Sequence, residues 1–334
     1  MGKLSTEDLK KLLKYVKRDP RLVVPPLLGF DSGVHLMDDK YMVVSTDPCV
    51  GVPLEWFGWL LVHYPASDTA LFGAKPEFCT MNLLAPPSTG SQVFYSVMKQ
   101  ACDAAEELGI AVVTGHTGTY RGLSTLVGTC AVYGTVAKEK LITPGQAEPG
   151  DLIVCVKPIG LEIAVNFALT HKALAERLFG VGQTGRLARL VKLQSCVREA
   201  LILAEMVDVH AMHDATEGGL AAALNEMAEA SEVGFKMKLD NLMIPEEVEK
   251  LRKSFQLSDL QVLSMSSTGT IVAAVSPGAE DKIQEVLGKE DVKATILGCF
   301  TKNRNRILIK NGKETPFPRK TDDPYERIME PSDC

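Results

Sequence analysis

The chain has 334 residues, 46% hydrophobic and 23% charged, the balance of a globular protein with enough length for two domains. Its 36 Lys and Arg against 42 Asp and Glu give a net charge of −6, which argues against a general nucleic-acid binder. No run of about 18 apolar residues predicts a membrane span, and the opening MGKLSTEDLKKLL has no apolar signal stretch.

The predicted elements follow in chain order. Ser5-Thr-Glu-Asp8 before Leu9, Leu12 and Leu13 marks a capped amphipathic helix that stops by Pro20. Tyr41–Ser45 is a short strand ending at Thr46-Asp47-Pro48. Leu54–Val62 and Asp68–Phe72 read as helical, with a break at Gly73-Ala-Lys-Pro76. A strand over Phe78–Leu84 and a helix over Gln92–Leu108 come next. Ile110–Val113 is expected as a buried strand running into the loop Thr114-Gly-His-Thr-Gly118, and Leu123–Val136 as a longer strand.

Two Pro-Gly steps in Thr143-Pro-Gly-Gln-Ala-Glu-Pro-Gly150 mark the best domain boundary. The expectation is an α+β chain with domains over 1–145 and 146–315, followed by a surface or flexible tail over 316–334. In the second domain Leu152–Val156 is a strand, helices cover about 160–180 and 186–206, and Ala211–Gly219 is a loop before a helix over Leu220–Ala230. Eight cysteines, none at C-x-x-C spacing, fall mostly inside apolar runs. They read as buried small hydrophobes of a reducing, cytoplasmic setting, not as a zinc site or disulfide framework.

Acidic residues recur where elements meet loops: Asp31, Asp47, Asp68 and Asp214. Carboxylates spread in this way can hold Mg²⁺ against a polyphosphate, because Mg²⁺ takes one or two carboxylates plus substrate oxygens. Each one alone reads first as a turn or helix cap, because Asp favours both, and none is a site signal by itself. Asp214-Ala-Thr-Glu-Gly-Gly-Leu220 is more specific. Gly218 and Gly219 before an alanine-rich helix either let backbone N–H groups approach an anion or form a plain tight turn.

Together these pieces make an ordered series. Gly-x-Asp at 29–31, Thr46-Asp-Pro48, Ser67-Asp-x-x-x-x-Gly-Ala-x-Pro76, Val113-Thr-Gly-x-Thr117 and His210-Ala-Met-x-Asp-x-Thr-x-Gly-Gly-Leu220 follow one another along the chain. The series resembles the AIR-synthase (PurM-like) ATP-binding superfamily over about residues 29 to 310, with the second-domain stretch most similar to HypE-like hydrogenase maturation factors. The resemblance implies a two-domain PurM-like fold, with an N-terminal α/β domain that forms a dimeric β-barrel and a C-terminal α+β domain, in a homodimer. It implies ATP and Mg²⁺ as cofactors. Asp31, Asp47 and Asp68 would be the metal carboxylates, with Asp68 and Asp214 catalytic. Thr46, Thr114, Gly115, His116 and Thr117 would line the nucleotide, and Gly218 and Gly219 would close the site from the second domain. The implied function is phosphorylation of an oxygen on a small or protein-borne substrate, with hydrogenase maturation as its setting. A thiamine-monophosphate-kinase-like enzyme, favoured by Ser67-Asp68, and a non-catalytic nucleotide sensor are the alternatives.

The chain departs from that pattern in places. His116 stands where the family has an acid, so the site holds fewer metal ions, or the imidazole meets a phosphate oxygen, or His116 is a buried residue without a role. HypE has an Asn-Glu-Gly stretch where this chain has Ser266-Ser-Thr-Gly269, so its dehydrating glutamate has no acidic counterpart here. The glycine-rich start of HypE is also missing. The chain ends Pro331-Ser-Asp-Cys334, matching HypE only at Pro and Cys. An extended tail from Pro316 spans roughly 60 Å at about 3.3 Å per residue, so Cys334 is either a carrier thiol or an ordinary terminal cysteine. His210 and His213 have helical metal-ligand spacing but sit in the expected loop, where a structural or phosphate-facing role is expected.

Overall fold

The computed structural model of the chain describes Leu4 and residues 6–330. Ser5 and Cys334, both singled out above, lie outside the described residues. The chain divides into two compact units, one from Lys11–Leu141 and one from Ile142 onward with the residues up to Lys10. A short helix, α1 (Thr6–Leu13), comes first.

The first unit contains β1 (Leu22–Val24), β2 (Ser32–Met37), β3 (Lys40–Val50), β4 (Phe78–Ala85), β5 (Ala111–Thr119) and β6 (Val127–Ala137), with α2 (Phe57–Leu71) and α3 (Ser91–Leu108). The strands form one open sheet in the order β1-β2-β3-β6-β4-β5. Only β4 and β5 run parallel. Among the described residues this sheet does not close into a barrel. On β6 alternate residues are buried, and this face meets α2. Helix α2 is buried at every residue except Tyr64. It lies against α3 at Gly58, where a Cβ would fall 2.2 Å from the Val97 carbonyl oxygen. Helix α3 buries Val97, Ala101, Ala104 and Ala105, a stripe at helical spacing.

Four expectations change here. The two short helices are one, running through Pro65, because packing on all sides outweighs the local break. Strand β3 continues through Thr46-Asp47-Pro48. Beyond the Ser32–Ser45 pair β3 has only β6 as a neighbour, so a proline there fits a one-sided edge. Thr114–Gly118 is strand rather than loop. The whole of β5 is an exposed edge, not a buried strand, because only β4 pairs with it.

The second unit contains β7 (Leu152–Val156), β8 (Val209–Ala215), β9 (Gly234–Lys238), β10 (Ser267–Val275), β11 (Ala294–Thr301), β12 (Arg306–Lys310) and β13 (Lys313–Pro316). They form a sheet in the order β13-β12-β9-β11-β7-β10-β8, with β9 and β12 parallel. Its helices are α4 (Leu161–Thr170), α5 (Lys172–Phe179), α6 (Val181–Leu187), α7 (Val197–Ala204), α8 (Gly219–Ala230), α9 (Glu246–Ser254), α10 (Asp259–Leu263), α11 (Glu280–Gly288) and α12 (Tyr325–Met329). Ile153, Cys155, Val272 and Ala274 join Ile163, Phe167, Leu220 and Leu224 in the core. Residues 209–215, expected as part of a loop, form β8, buried except at His210.

The stretch after Pro316, expected as a surface or flexible tail, runs along this unit with Phe317 and Ile328 buried. Phe317 packs edge-on against Phe235, with ring centroids 4.9 Å apart. Of the described cysteines, Cys49, Cys79, Cys130, Cys155 and Cys196 are buried and none is in a disulfide. No described helix is long and apolar enough to cross a membrane.

Candidate functional site

In the first unit, hydroxyl groups tie the acid-bearing segments together. Ser32, next to Asp31, hydrogen-bonds Ser45 and donates to the Asp68 carbonyl oxygen at 3.1 Å. Ser45 bonds Thr69, next to Asp68, at 3.0 Å. All three hydroxyl residues are buried. This relay fixes the loop before β2, the middle of β3 and the last turns of α2 relative to one another. It places Asp31 and Asp47 half-buried, Thr46 exposed and Asp68 buried around one corner of the unit. The carboxylates of Asp31, Asp47 and Asp68 do not close into one ligand cluster among the described residues. Burial, with the Asp47 charge second, holds the Cys49 thiol far above its ordinary range, so it stays a thiol and not a ligand.

Thr114, Gly115, His116 and Thr117 lie together on the exposed edge β5, opposite Thr80, Met81, Asn82 and Leu83 of β4. A Cβ at Gly115 would sit 2.5 Å from the Met81 carbonyl oxygen, so close strand approach accounts for this glycine. His116 is exposed, which removes the buried reading, and its Nε2 lies 2.6 Å from the Tyr120 hydroxyl. Beside it opens a cleft of about 490 Å³ lined by Asn82, Leu84, His116, Tyr120 and Leu123. Asn82 and Tyr120 carried no sequence signal.

In the second unit, β8 delivers Asp214 to the start of α8. Asp214 is 3% exposed, and its Oδ1 accepts no hydrogen bond, although His213 Nδ1 approaches it at 3.4 Å. A buried carboxylate oxygen left unsatisfied in this way is a hard donor of the kind Mg²⁺ accepts. The next residues turn through Gly218 (φ 81°) and Gly219 (φ 58°), both left-handed. A Cβ at Gly219 would meet the Met265 carbonyl oxygen at 2.4 Å, so only glycine fits. The Gly218 N–H, expected to face an anion, donates instead to Oδ2 of Asp323 at 3.1 Å.

His210 and His213 sit three apart on a strand, so they point to opposite faces and cannot share a metal ion. His210 bridges Asp151, at 3.0 Å, and the Ser276 hydroxyl, at 3.2 Å, tying the start of β7 to the end of β10. His213 Nε2 lies 2.9 Å from Glu226 of α8.

Thr268, at the place where an acid was missing, has a carboxylate beside it from another element. Glu162, in the first turn of α4, accepts from the Thr268 N–H at 2.9 Å and its hydroxyl at 2.7 Å. Burial pushes the Glu162 carboxyl up to about 7, against the pull of the two Thr268 bonds, and the charges of Asp323 and Glu217 add to the rise. Neither Glu162 nor Asp323 was legible as a site residue, because their partners lie more than a hundred residues away.

Comparison with known proteins matches two descriptions to this chain. AIR synthase related protein, N-terminal domain, covers residues 29–136, and the C-terminal domain of the same family covers residues 148–310. A Methanocaldococcus jannaschii protein assigned to hydrogenase expression/formation is 28% identical over 286 residues, 84% of this chain and 82% of the relative. The selenide, water dikinase of Carboxydothermus hydrogenoformans is 24% identical, covering 92% of this chain and 95% of that enzyme. The fold is similar to that of the hydrogenase maturation protein HypE solved in complex with ATP, with a TM-score of 0.66 at 18% identity, covering 95% of this chain and 96% of that one.

Proposed function

The chain belongs to the AIR synthase related family, and from that premise we propose that it is an ATP- and Mg²⁺-dependent enzyme related to HypE. In this reading it phosphorylates an oxygen of a small or protein-borne substrate, with hydrogenase maturation as its setting. The observation that carries the reading is the unsatisfied, buried Asp214 oxygen directly before the Gly218-Gly219 turn. His213 Nδ1 approaches it at 3.4 Å without hydrogen-bond geometry, so this oxygen keeps a lone pair for a cation.

Asp31, Asp47 and Asp68 are the carboxylates proposed to hold Mg²⁺, and their hydroxyl relay fixes them in advance of binding. When bound, the ion neutralises phosphate charge and orients the transferred group. Thr46, Thr114, Gly115, His116 and Thr117 are proposed to line the nucleotide. Asp68 and Asp214 are assigned the catalytic roles, and Gly218 would present its N–H to the ligand once Asp323 gives it up, with Gly219 completing the turn. The exposed β5 edge, with Val112 and Val113 open, supports pairing with a second copy and a shared barrel. Domains over 1–145 and 146–315 and a cytoplasmic location belong to the same proposal.

Calorimetric titration of the full chain with ATP, with and without Mg²⁺, followed by phosphate assay of the same samples, tests it. Metal-dependent binding with slow phosphate release is expected. A stable phosphoryl product in place of free phosphate would favour the kinase alternative that Ser67-Asp68 suggests. Binding that never yields either product with candidate substrates would favour a sensor, and absence of binding would overturn the proposal.

A further inference from the structure

Residues 264–268 are a hub between two helix starts. On one side Gly160, the residue before α4, donates its N–H to the Ser267 hydroxyl, and Glu162 takes both donors of Thr268. On the other side Ser266 donates to Asp323 at 2.7 Å, and Asp323 also accepts from Gly218 of the α8 turn. The Asp322 N–H donates to Ser264 at 3.1 Å, so the segment after β13 is laced to the same hub.

The two carboxyl groups have different settings. Asp323 receives three donors, from Ser266, Gly218 and the Tyr325 N–H, and is held in place by them. Glu162 is 8% exposed. Both Thr268 donors go to its Oε2, and no hydrogen bond reaches Oε1 among the described residues. Oε1 keeps part of that small exposure. One oxygen is fixed and the other carries no hydrogen bond among the described residues.

We infer that Glu162 is a proton-transfer residue of the second unit, acting through Oε1, and that Asp323 is the positioning residue that tunes it. The inference rests on the enzyme reading above. The proton leaves Glu162 Oε1 for an oxygen or nitrogen of the bound substrate, and the carboxylate regains a proton from solvent, so no co-reactant is required. The groups that face Glu162 set its response. Asp323 from the segment after β13 and Glu217 from the β8–α8 turn hold the proton on, as does burial, while Thr268 from β10 pulls it off. Tyr325 of α12, itself raised to about 12 mainly by burial and next by the Glu162 charge, stays neutral and adds none.

The test follows the carboxyl directly, by ¹³C NMR of the full chain labelled at glutamate, with E162Q assigning the signal. A midpoint near neutral is expected. Asp323→Asn should move it down and Thr268→Val should move it up, each by roughly one pH unit. Opposite shifts from two neighbours are not expected of a carboxyl that merely fills space. In parallel, phosphate release from Mg·ATP should show a limb near neutral pH that E162Q loses and D323N moves to lower pH. Thermal unfolding confirms that each variant is folded, and calorimetry confirms that each binds Mg·ATP. A midpoint in the ordinary range near 4–5, or one that neither neighbour moves, overturns the inference. Loss of Mg·ATP binding by the unmodified chain would instead overturn the enzyme reading.

Discussion

Lys157 follows β7 in a left-handed conformation, φ 67°, with its side chain turned inward. Its ammonium meets Glu199 of α7 at 2.8 Å and the carbonyl oxygens of Ser195 and Leu193 at 2.5 and 3.3 Å. Three protons find three acceptors. The side chains of Lys157 and Glu199 are 5% and 10% exposed, so water cannot replace the lysine. Lys157→Met keeps the length and the backbone strain, which therefore cancels in the comparison, and removes only the charge and the donors. The buried Glu199 carboxylate and two carbonyl groups are then left unpaired, a loss of about 3–5 kcal/mol. With a urea slope of about 2–3 kcal/mol/M, the unfolding midpoint followed by far-UV circular dichroism should fall by more than about 1 M. Adding Glu199→Leu should recover most of the loss, because an apolar pair of similar volume replaces a buried ion pair at little cost. A single-variant loss below about 1 kcal/mol, or a double variant no better than the single, would refute this account of the pair.

Three more outcomes are expected. Asp68→Asn should weaken Mg·ATP binding by a few kcal/mol at most, since Mg²⁺ keeps other oxygen ligands; an unchanged dissociation constant in calorimetry would remove Asp68 from the site. The Glu162 carboxyl is raised from its usual 4.5 to about 7 in the folded chain, so the folded state binds the extra proton between those values. Stability is then highest below pH 4.5 as far as this group is concerned, falls as pH rises through 7, and levels off above. The difference is on the order of 3 kcal/mol, and urea unfolding at pH 5 and pH 8 should show it in the unmodified chain and not in E162Q; equal pH dependence in both would exclude it. Gly58→Ala places a methyl 2.2 Å from the Val97 carbonyl oxygen and 2.7 Å from the Ala101 nitrogen. It must push α2 and α3 apart, costing about 1–3 kcal/mol, and an unchanged melting temperature would show that the helices yield freely.

What the sequence disclosed depended on whether a residue's partner was nearby. Strand β7 is a short apolar run between Gly150 and Lys157-Pro158 and was legible to the residue. Helix α3 announced itself through its small-residue stripe. Helix α2, buried nearly all round, has no polar face and so no period, and Pro65 made it look like two pieces. Thr114-Gly-His-Thr-Gly118 has the composition of a turn, yet becomes strand because β4 supplies a ladder on one side. Asp31, Asp47, Asp68 and Asp214 were singled out from motif order alone. The hydroxyls of Ser32, Ser45 and Thr69 that hold the first three segments were not, since a serine next to an aspartate is common in any loop. Glu162 meets Thr268 across 106 positions and Asp323 meets Gly218 across 105. Only the folded sheet, which brings the starts of α4 and α8 to residues 264–268, makes those pairs visible.

The docked segment after β13 also shortens a leash. Counted from Pro316 the terminal thiol has a contour of roughly 60 Å, but α12 is held by buried Ile328 and by the hydrogen bond between His171 and the Met329 carbonyl. Counted from Glu330 only four residues remain, roughly 13 Å at full extension. Letting α12 go would carry Asp323 away from Gly218 and free the N–H that it now occupies. Release of α12 and an anion-accepting start of α8 would then be the same event.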